Sequence, residues 1–175
     1  PKICLVLTEN TIDKNIQLIE RYRSWIDIVE LRADFLDPQE LLYIRRFPKL
    51  ARIPAILTIR RFLDGGAFKG GEGSRITLFA RGLAFADTEP LNNFAYLDLE
   101  SDVQAPSLEE AAQAFNIGII RSLHSIKAPI KDIAAKIREI RRTDEEIVKI
   151  AYKAANLSDA TAIFKEAPKL NGNRI

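Results

Sequence analysis

Methionine is absent from the 175 residues, and there is one cysteine, one histidine and one tryptophan. The lone thiol, Cys4, has no partner in the chain, which excludes an internal disulfide and a two-cysteine metal site. With no methionine, Pro1 reads as an end left by processing or trimming. No apolar run approaches the ~20 residues of a membrane span, and no signal peptide opens the chain. Charge is nearly balanced, 26 basic against 24 acidic residues, with no basic stripe for nucleic acid or an anionic membrane. The first strand-to-helix turn, Thr8-Glu9-Asn10-Thr11, has no glycine, which excludes a dinucleotide fingerprint there. A reducing, cytoplasmic setting is the expectation. The remaining composition, 47% hydrophobic and 29% charged with 8 Gly and 8 Pro, fits one folded domain over 1–175 with a real core.

Hydrophobic periodicity alternates along the chain. Short apolar runs at 2–7, 28–32, 55–60, 94–100, 117–124 and 146–151 read as strands. Segments at helical spacing follow each: 11–23 with Thr11 as N-cap, one opening at Asp37-Pro38, 74–86, 107–115 with Ser107 and Glu110 in capping-box spacing, 129–142 and 158–166. Six β-α units imply a parallel sheet with right-handed crossovers. The strand faces favour a (β/α)8 TIM-type barrel over a doubly wound sheet. Glu30 and Arg32, Thr58 and Arg60, Asp98 and Glu100, Ser122 and His124, and then Lys149 each fall opposite the Leu, Ile and Val positions of their strands. Polar groups recurring on one face near the carboxyl ends are what a barrel mouth requires. A complete barrel needs at least ~200 residues. The chain therefore reads as an incomplete barrel with its C-terminal part missing, 167–175 doing no more than begin a seventh strand.

His124 is the side chain most able to move a proton near neutral pH. Its bland alternative is a strand-end histidine bonded to a loop. Lys149 lies in an apolar strand, where burial and neighbouring arginines are expected to lower its pKa and expose a nucleophilic amine for Schiff-base formation with a ketone. The alternative is a snorkelling lysine. Glu30 and Arg32 either pair with each other or bind a polyhydroxylated or anionic ligand. The glycine-rich stretch 64–73 reads as a lid over the mouth or a loose hairpin. Cys4 is expected as a small buried hydrophobe of the first strand.

In order along the chain, Val29-Glu30-Leu31-Arg32-Ala33-Asp34, Thr58-Ile59-Arg60 with Asp64-Gly65-Gly66, Tyr96-Leu97-Asp98-Leu99-Glu100, Arg121-Ser122-Leu123-His124 and Ile147-Val148-Lys149-Ile150-Ala151 resemble motifs of the type I 3-dehydroquinate dehydratase family of the shikimate pathway. Each motif is short, but the five keep the family's order and spacing. The resemblance implies a Schiff base between Lys149 and the C3 ketone of 3-dehydroquinate. It implies His124 as general base and then acid, with Asp64 in the place of the family's loop glutamate, one methylene shorter. Glu30, Arg32 and Arg60 would bind substrate, without metal or organic cofactor. The family's C-terminal G-E-x-G-x-x-S-R segment and Ser/Gln lid have no match after Lys169, so the chain reads as a fragment, a truncated form or a chain with a remainder. A homodimer and a shikimate dehydrogenase domain fused downstream stand as the partner options. Another Schiff-base barrel enzyme of the class I aldolase kind, and an inactive barrel fragment, are the competing readings.

Overall fold

The structure, a computed structural model, describes residues 2–84 and 87–166. The end of the helix expected over 74–86 and the expected start of a seventh strand lie outside the described residues.

Six parallel strands form one sheet in sequence order: β1 (Cys4–Leu7), β2 (Ile28–Arg32), β3 (Ala55–Thr58), β4 (Tyr96–Glu100), β5 (Gly118–Ser125) and β6 (Ile147–Tyr152). Helices follow each strand: α1 (Ile12–Tyr22), α2 (Phe47–Ala51), α3 (Glu72–Leu83), α4 (Pro106–Ala114), α5 (Ile133–Ile140) and α6 (Leu157–Glu166). Thr11 caps α1 as expected, its side chain accepting from the Lys14 N–H. Two other local expectations fail. The segment after Asp37-Pro38 runs mostly as 3-10 turns over Glu40–Arg46, with only the short α2 beyond it. Pro48 sits at the start of α2, where its missing N–H costs nothing. Ser107 caps nothing, because α4 begins a residue earlier at Pro106, with Ala105 in the N-cap position.

The two faces of the sheet do different work. Val29, Leu31, Leu57, Ile59, Leu97 and Leu99 point outward and are wholly buried beneath Ile12, Ile19, Phe47, Phe79 and Phe94. Each such side chain contributes about 1.5–3 kcal/mol of burial free energy. Gly82 in α3 is a contact requirement: a Cβ there would sit 2.5 Å from Leu57 Cδ2. On the same outer side the Arg121 guanidinium is fully buried and bonded to Glu146 at 2.5 Å and to Glu109 at 3.2 Å.

The inner face is filled at its base by a separate small cluster, Ile28, Ile56 and Ile120, with Tyr96 and Ile147 against it. Above it the polar residues begin. Register sets them in tilted rows: Arg32 beside Thr58, Thr58 beside Asp98, Glu100 beside Ser122, Ser122 beside Lys149, and His124 beside Ala151. The sheet curls into a half-barrel. In a flat sheet β2 and β6 would lie about 19 Å apart, more than two side chains can bridge, yet the Lys149 Nζ donates to both oxygens of Glu30. Along β1 the concave face is open. Val6 is exposed, and so is Cys4, contrary to its expected burial. Desolvation and the Glu30 carboxylate still push the Cys4 thiol up to about 11.

Candidate active site

Lys149 is the centre of the concave face. Its Nζ donates to Glu30 Oε1 and Oε2, both at 2.9 Å, and to Asp98 Oδ2 at 2.8 Å. Glu30 is fixed by a further bond, accepted from Thr58 Oγ1 at 2.9 Å. Both carboxylates are buried, Glu30 on β2 and Asp98 on β4. Burial works to lower the lysine's pKa, but Asp98 and then Glu30 outweigh it and hold the ammonium above its ordinary value. This corrects the expectation of a depressed lysine. The arginines thought to depress it are paired elsewhere or too weakly felt, and two anions contact the amine directly.

His124 shares this face. It pairs with Ala151, the residue two beyond Lys149 on β6, so strand spacing places the two backbones about 8 Å apart. Its Nδ1 is buried without a hydrogen-bond partner. Burial and then the Arg60 cation push the imidazole down to about 4, with Lys149 adding to the effect and Asp98 and Asp64 opposing it. The ring is therefore neutral at physiological pH.

Arg32 and Glu30 do not pair with each other. Arg32 instead makes a two-pronged bond to Asp34, 2.9 Å from Nε to Oδ1 and 2.7 Å from Nη2 to Oδ2, and lies over the Phe35 ring. Asp34 also accepts from the Ala67 N–H at 2.9 Å. Arg60 follows β3, with its Nε buried and unpartnered. The glycine-rich stretch is a tight turn rather than a loose hairpin. Phe62 N–H donates to the Phe68 carbonyl and Phe68 N–H to that of Arg60. Gly65 has φ +80°, and a Cβ on Gly66 would fall 2.2 Å from the Arg60 carbonyl oxygen, so the close approach requires glycine at 66.

Asp64, expected beside His124, bonds Arg61 instead, Oδ2 to Nε at 2.6 Å. Arg61 also reaches Asp102 at 2.9 and 3.1 Å. The residues brought together around one space are thus Glu30, Asp98, Lys149 and His124, with Arg60 and Ser122 at its margin. Asp98 was missed as a site residue. Its signal was in the sequence, a carboxylate on the inward parity of β4, but nothing there showed that a lysine two strands away would reach it. Among the described residues no three His, Cys, Asp or Glu side chains are grouped to hold a metal ion, and no helix is long and apolar enough to cross a membrane.

Of the five buried side-chain atoms without partners among the described residues, Ser122 Oγ and His124 Nδ1 belong to β5 beside Lys149 and Arg60 Nε follows β3; the others are Arg121 Nη1 and Arg141 Nε. Buried polar groups are ordinarily satisfied, so the free Ser122 and His124 atoms on the strand beside Lys149 are available to a polar molecule.

Comparison with known proteins identifies the family. A 3-dehydroquinate dehydratase from Methanocaldococcus jannaschii is 29% identical over 178 residues, covering 99% of this chain and 76% of that one. The bifunctional 3-dehydroquinate dehydratase/shikimate dehydrogenase of Arabidopsis thaliana is 24% identical over 93% of this chain and 27% of its own length. Among solved structures, 3-dehydroquinate dehydratase from Enterococcus faecalis superposes with a TM-score of 0.76 at 21% identity, over 94% of this chain and 71% of that one, which shows the shared fold. The family model for type I 3-dehydroquinase matches residues 3–173. The curled sheet, the lysine held between two carboxylates and this match over nearly the whole length lead to one assignment: the chain belongs to the type I 3-dehydroquinase family, the 3-dehydroquinate dehydratases.

Proposed function

We propose that the chain dehydrates 3-dehydroquinate to 3-dehydroshikimate through an iminium on Lys149, with His124 moving the proton. The observation that carries this reading is the Lys149 ammonium, held in a curved polar face by Glu30 and Asp98 with a neutral imidazole on the neighbouring strand. As the ammonium, Lys149 is no nucleophile. It must first pass a proton to one of the two carboxylates bonded to it. The free amine then adds to the C3 ketone and expels the carbonyl oxygen as water, leaving an iminium. That cation draws electrons from C2, and His124 takes the C2 proton. The imidazolium returns this proton to the C1 hydroxyl as it leaves as water. Hydrolysis of the iminium frees the product and restores the amine. An imidazole held neutral suits the first proton transfer, and an amine and a base on neighbouring strands of one face suit reaction at adjacent ring carbons.

Arg60, with its buried unpartnered Nε, is the group best placed to meet the substrate's acid. Arg32 is already engaged by Asp34, so its contribution is to hold the mouth in shape unless substrate displaces that bond. The lone thiol suits a reducing, cytoplasmic setting.

Borohydride reduction in the presence of 3-dehydroquinate tests this reading. A mass increase at Lys149 is expected, and none in Lys149→Ala. His124→Ala should still be trapped but turn over about 10²–10⁴-fold more slowly. Normal turnover in that variant, or trapping at another residue, overturns the assignment. Retro-aldol cleavage without dehydration would point to the aldolase-like alternative.

A further inference from the structure

Glu30 has two cations to choose between. Arg32 is two residues further along β2 on the same inner face, about 7 Å away along the strand, a gap that two long side chains can close. Lys149 stands across the half-barrel on β6. The guanidinium fork matches a carboxylate in two places and needs no crossing, so Arg32 is the natural partner. Yet Glu30 gives both oxygens to the Lys149 Nζ, each at 2.9 Å. Two contacts account for this. Asp34 holds Arg32 by both prongs from within the buried end of β2. Thr58 Oγ1 donates to Glu30 Oε1 at 2.9 Å. Thr58 is buried on β3, between Arg32 on one neighbouring strand and Asp98 on the other. Its β-branched side chain is stiff at χ1, so its hydroxyl is a fixed donor, whereas a glutamate turns about three bonds.

We propose that Thr58 is a positioning residue for the lysine: its hydroxyl holds Glu30 off Arg32 and on the Lys149 amine, so that the amine has a fixed second anion besides Asp98. The charged and titratable groups around the pair are Cys4 from β1, Arg32 from β2, Asp98 from β4 and His124 from β5, with Arg60 following β3. Of these, Asp98 bonds the amine directly and does not depend on Thr58 for that bond. Without the hydroxyl, Glu30 swings toward the guanidinium beside it, and Asp98 is left as the main anion at the amine. The inference bears on catalysis only through the reading of Lys149 as the reacting amine.

The test needs no substrate, so it can fail while the lysine chemistry stands. Competitive labelling of the full chain with acetic anhydride across a pH series, read residue by residue by mass spectrometry, gives the titration midpoint of the Lys149 amine. Thr58→Val, close in shape but without the hydroxyl, should lower that midpoint by about half a unit or more. Thr58→Ser keeps the donor and should titrate like the parent. Glu30→Gln should lower the midpoint further, and adding Thr58→Val to Glu30→Gln should change nothing more, because the hydroxyl acts only through that carboxylate. A Thr58→Val chain titrating like the parent, or a fall that persists in the Glu30→Gln background, overturns the proposal. If Thr58→Val does not fold, Thr58→Ala removes the same bond and decides by the same comparison. A parent that 3-dehydroquinate and borohydride never trap ends the imine reading instead, and leaves this labelling result to stand by itself.

Discussion

The Lys149 ammonium lies 2.8 Å from the Asp98 carboxylate, on a strand two places away in the sheet, and shares that charge with Glu30 on the opposite wall. A lysine so placed rests charged, and its reactivity depends on losing a proton to an anion already bonded to it. On the mechanism proposed above, the two carboxylates keep the amine in its unreactive form until substrate enters.

Asp98→Asn removes one of the two anions that hold the ammonium. Burial then counts for more, and the lysine pKa should fall by about one unit or more. Borohydride trapping by 3-dehydroquinate, followed against pH, should reach half its plateau at a correspondingly lower pH than in the parent. An unmoved midpoint would mean that Asp98 does not govern the amine.

His124 shapes acid stability. Its folded pKa, about 4, lies below the ordinary value of 6.5. Between those values the unfolded chain binds a proton that the folded chain refuses, so stability rises with pH across that window and is lost on acidification through it. Urea midpoints from pH 4 to 7 should show a steeper loss in the parent than in His124→Asn. Parallel curves would place the imidazole in an ordinary aqueous environment.

Arg75 on α3 is almost wholly buried and donates to Glu100 at 2.6 Å and to the Ile59 carbonyl at 2.9 Å. Arg75→Met leaves the Glu100 carboxylate buried without its main cation. Equilibrium urea unfolding should show a loss of about 3 kcal/mol or more. Restoring neutrality with Glu100→Gln in the same chain should recover much of it.

Gly66→Ala puts a methyl group against the Arg60 carbonyl, where no space exists, and should cost about 1–3 kcal/mol while displacing Arg60 and Asp64. Gly71→Ala meets nothing within 4 Å. As the N-cap of α3, outside the turn, it should lose only the weaker cap, about 0.5–1 kcal/mol, without displacing Arg60 or Asp64, which separates a steric requirement from a helix-start preference.

Much of the architecture was legible because its signals are local. Six apolar runs separated by helical periods could only be parallel strands with crossovers. The alternation of Leu or Ile with Glu, Arg, Asp, His and Lys assigned each side chain to its face of the sheet, since a strand turns every second residue the same way. Where a local rule failed, a competing local feature won. Pro48 and the 3-10 turns before it replaced a regular second helix, and Pro106 started α4 ahead of Ser107.

The chain's own order of residues determined which groups face inward: Glu30, Asp98, His124 and Lys149 are committed to one side by parity alone. Which of them touch was decided only by the curvature of the whole sheet, which brings β2 and β6 within reach of one lysine. Asp64 meets Arg61 and Arg32 meets Asp34 through local turns, three and two residues apart along the chain. At Lys149 protonation follows contact, because two opposite charges at hydrogen-bond distance outweigh desolvation, and no pattern along a single strand contains that distance.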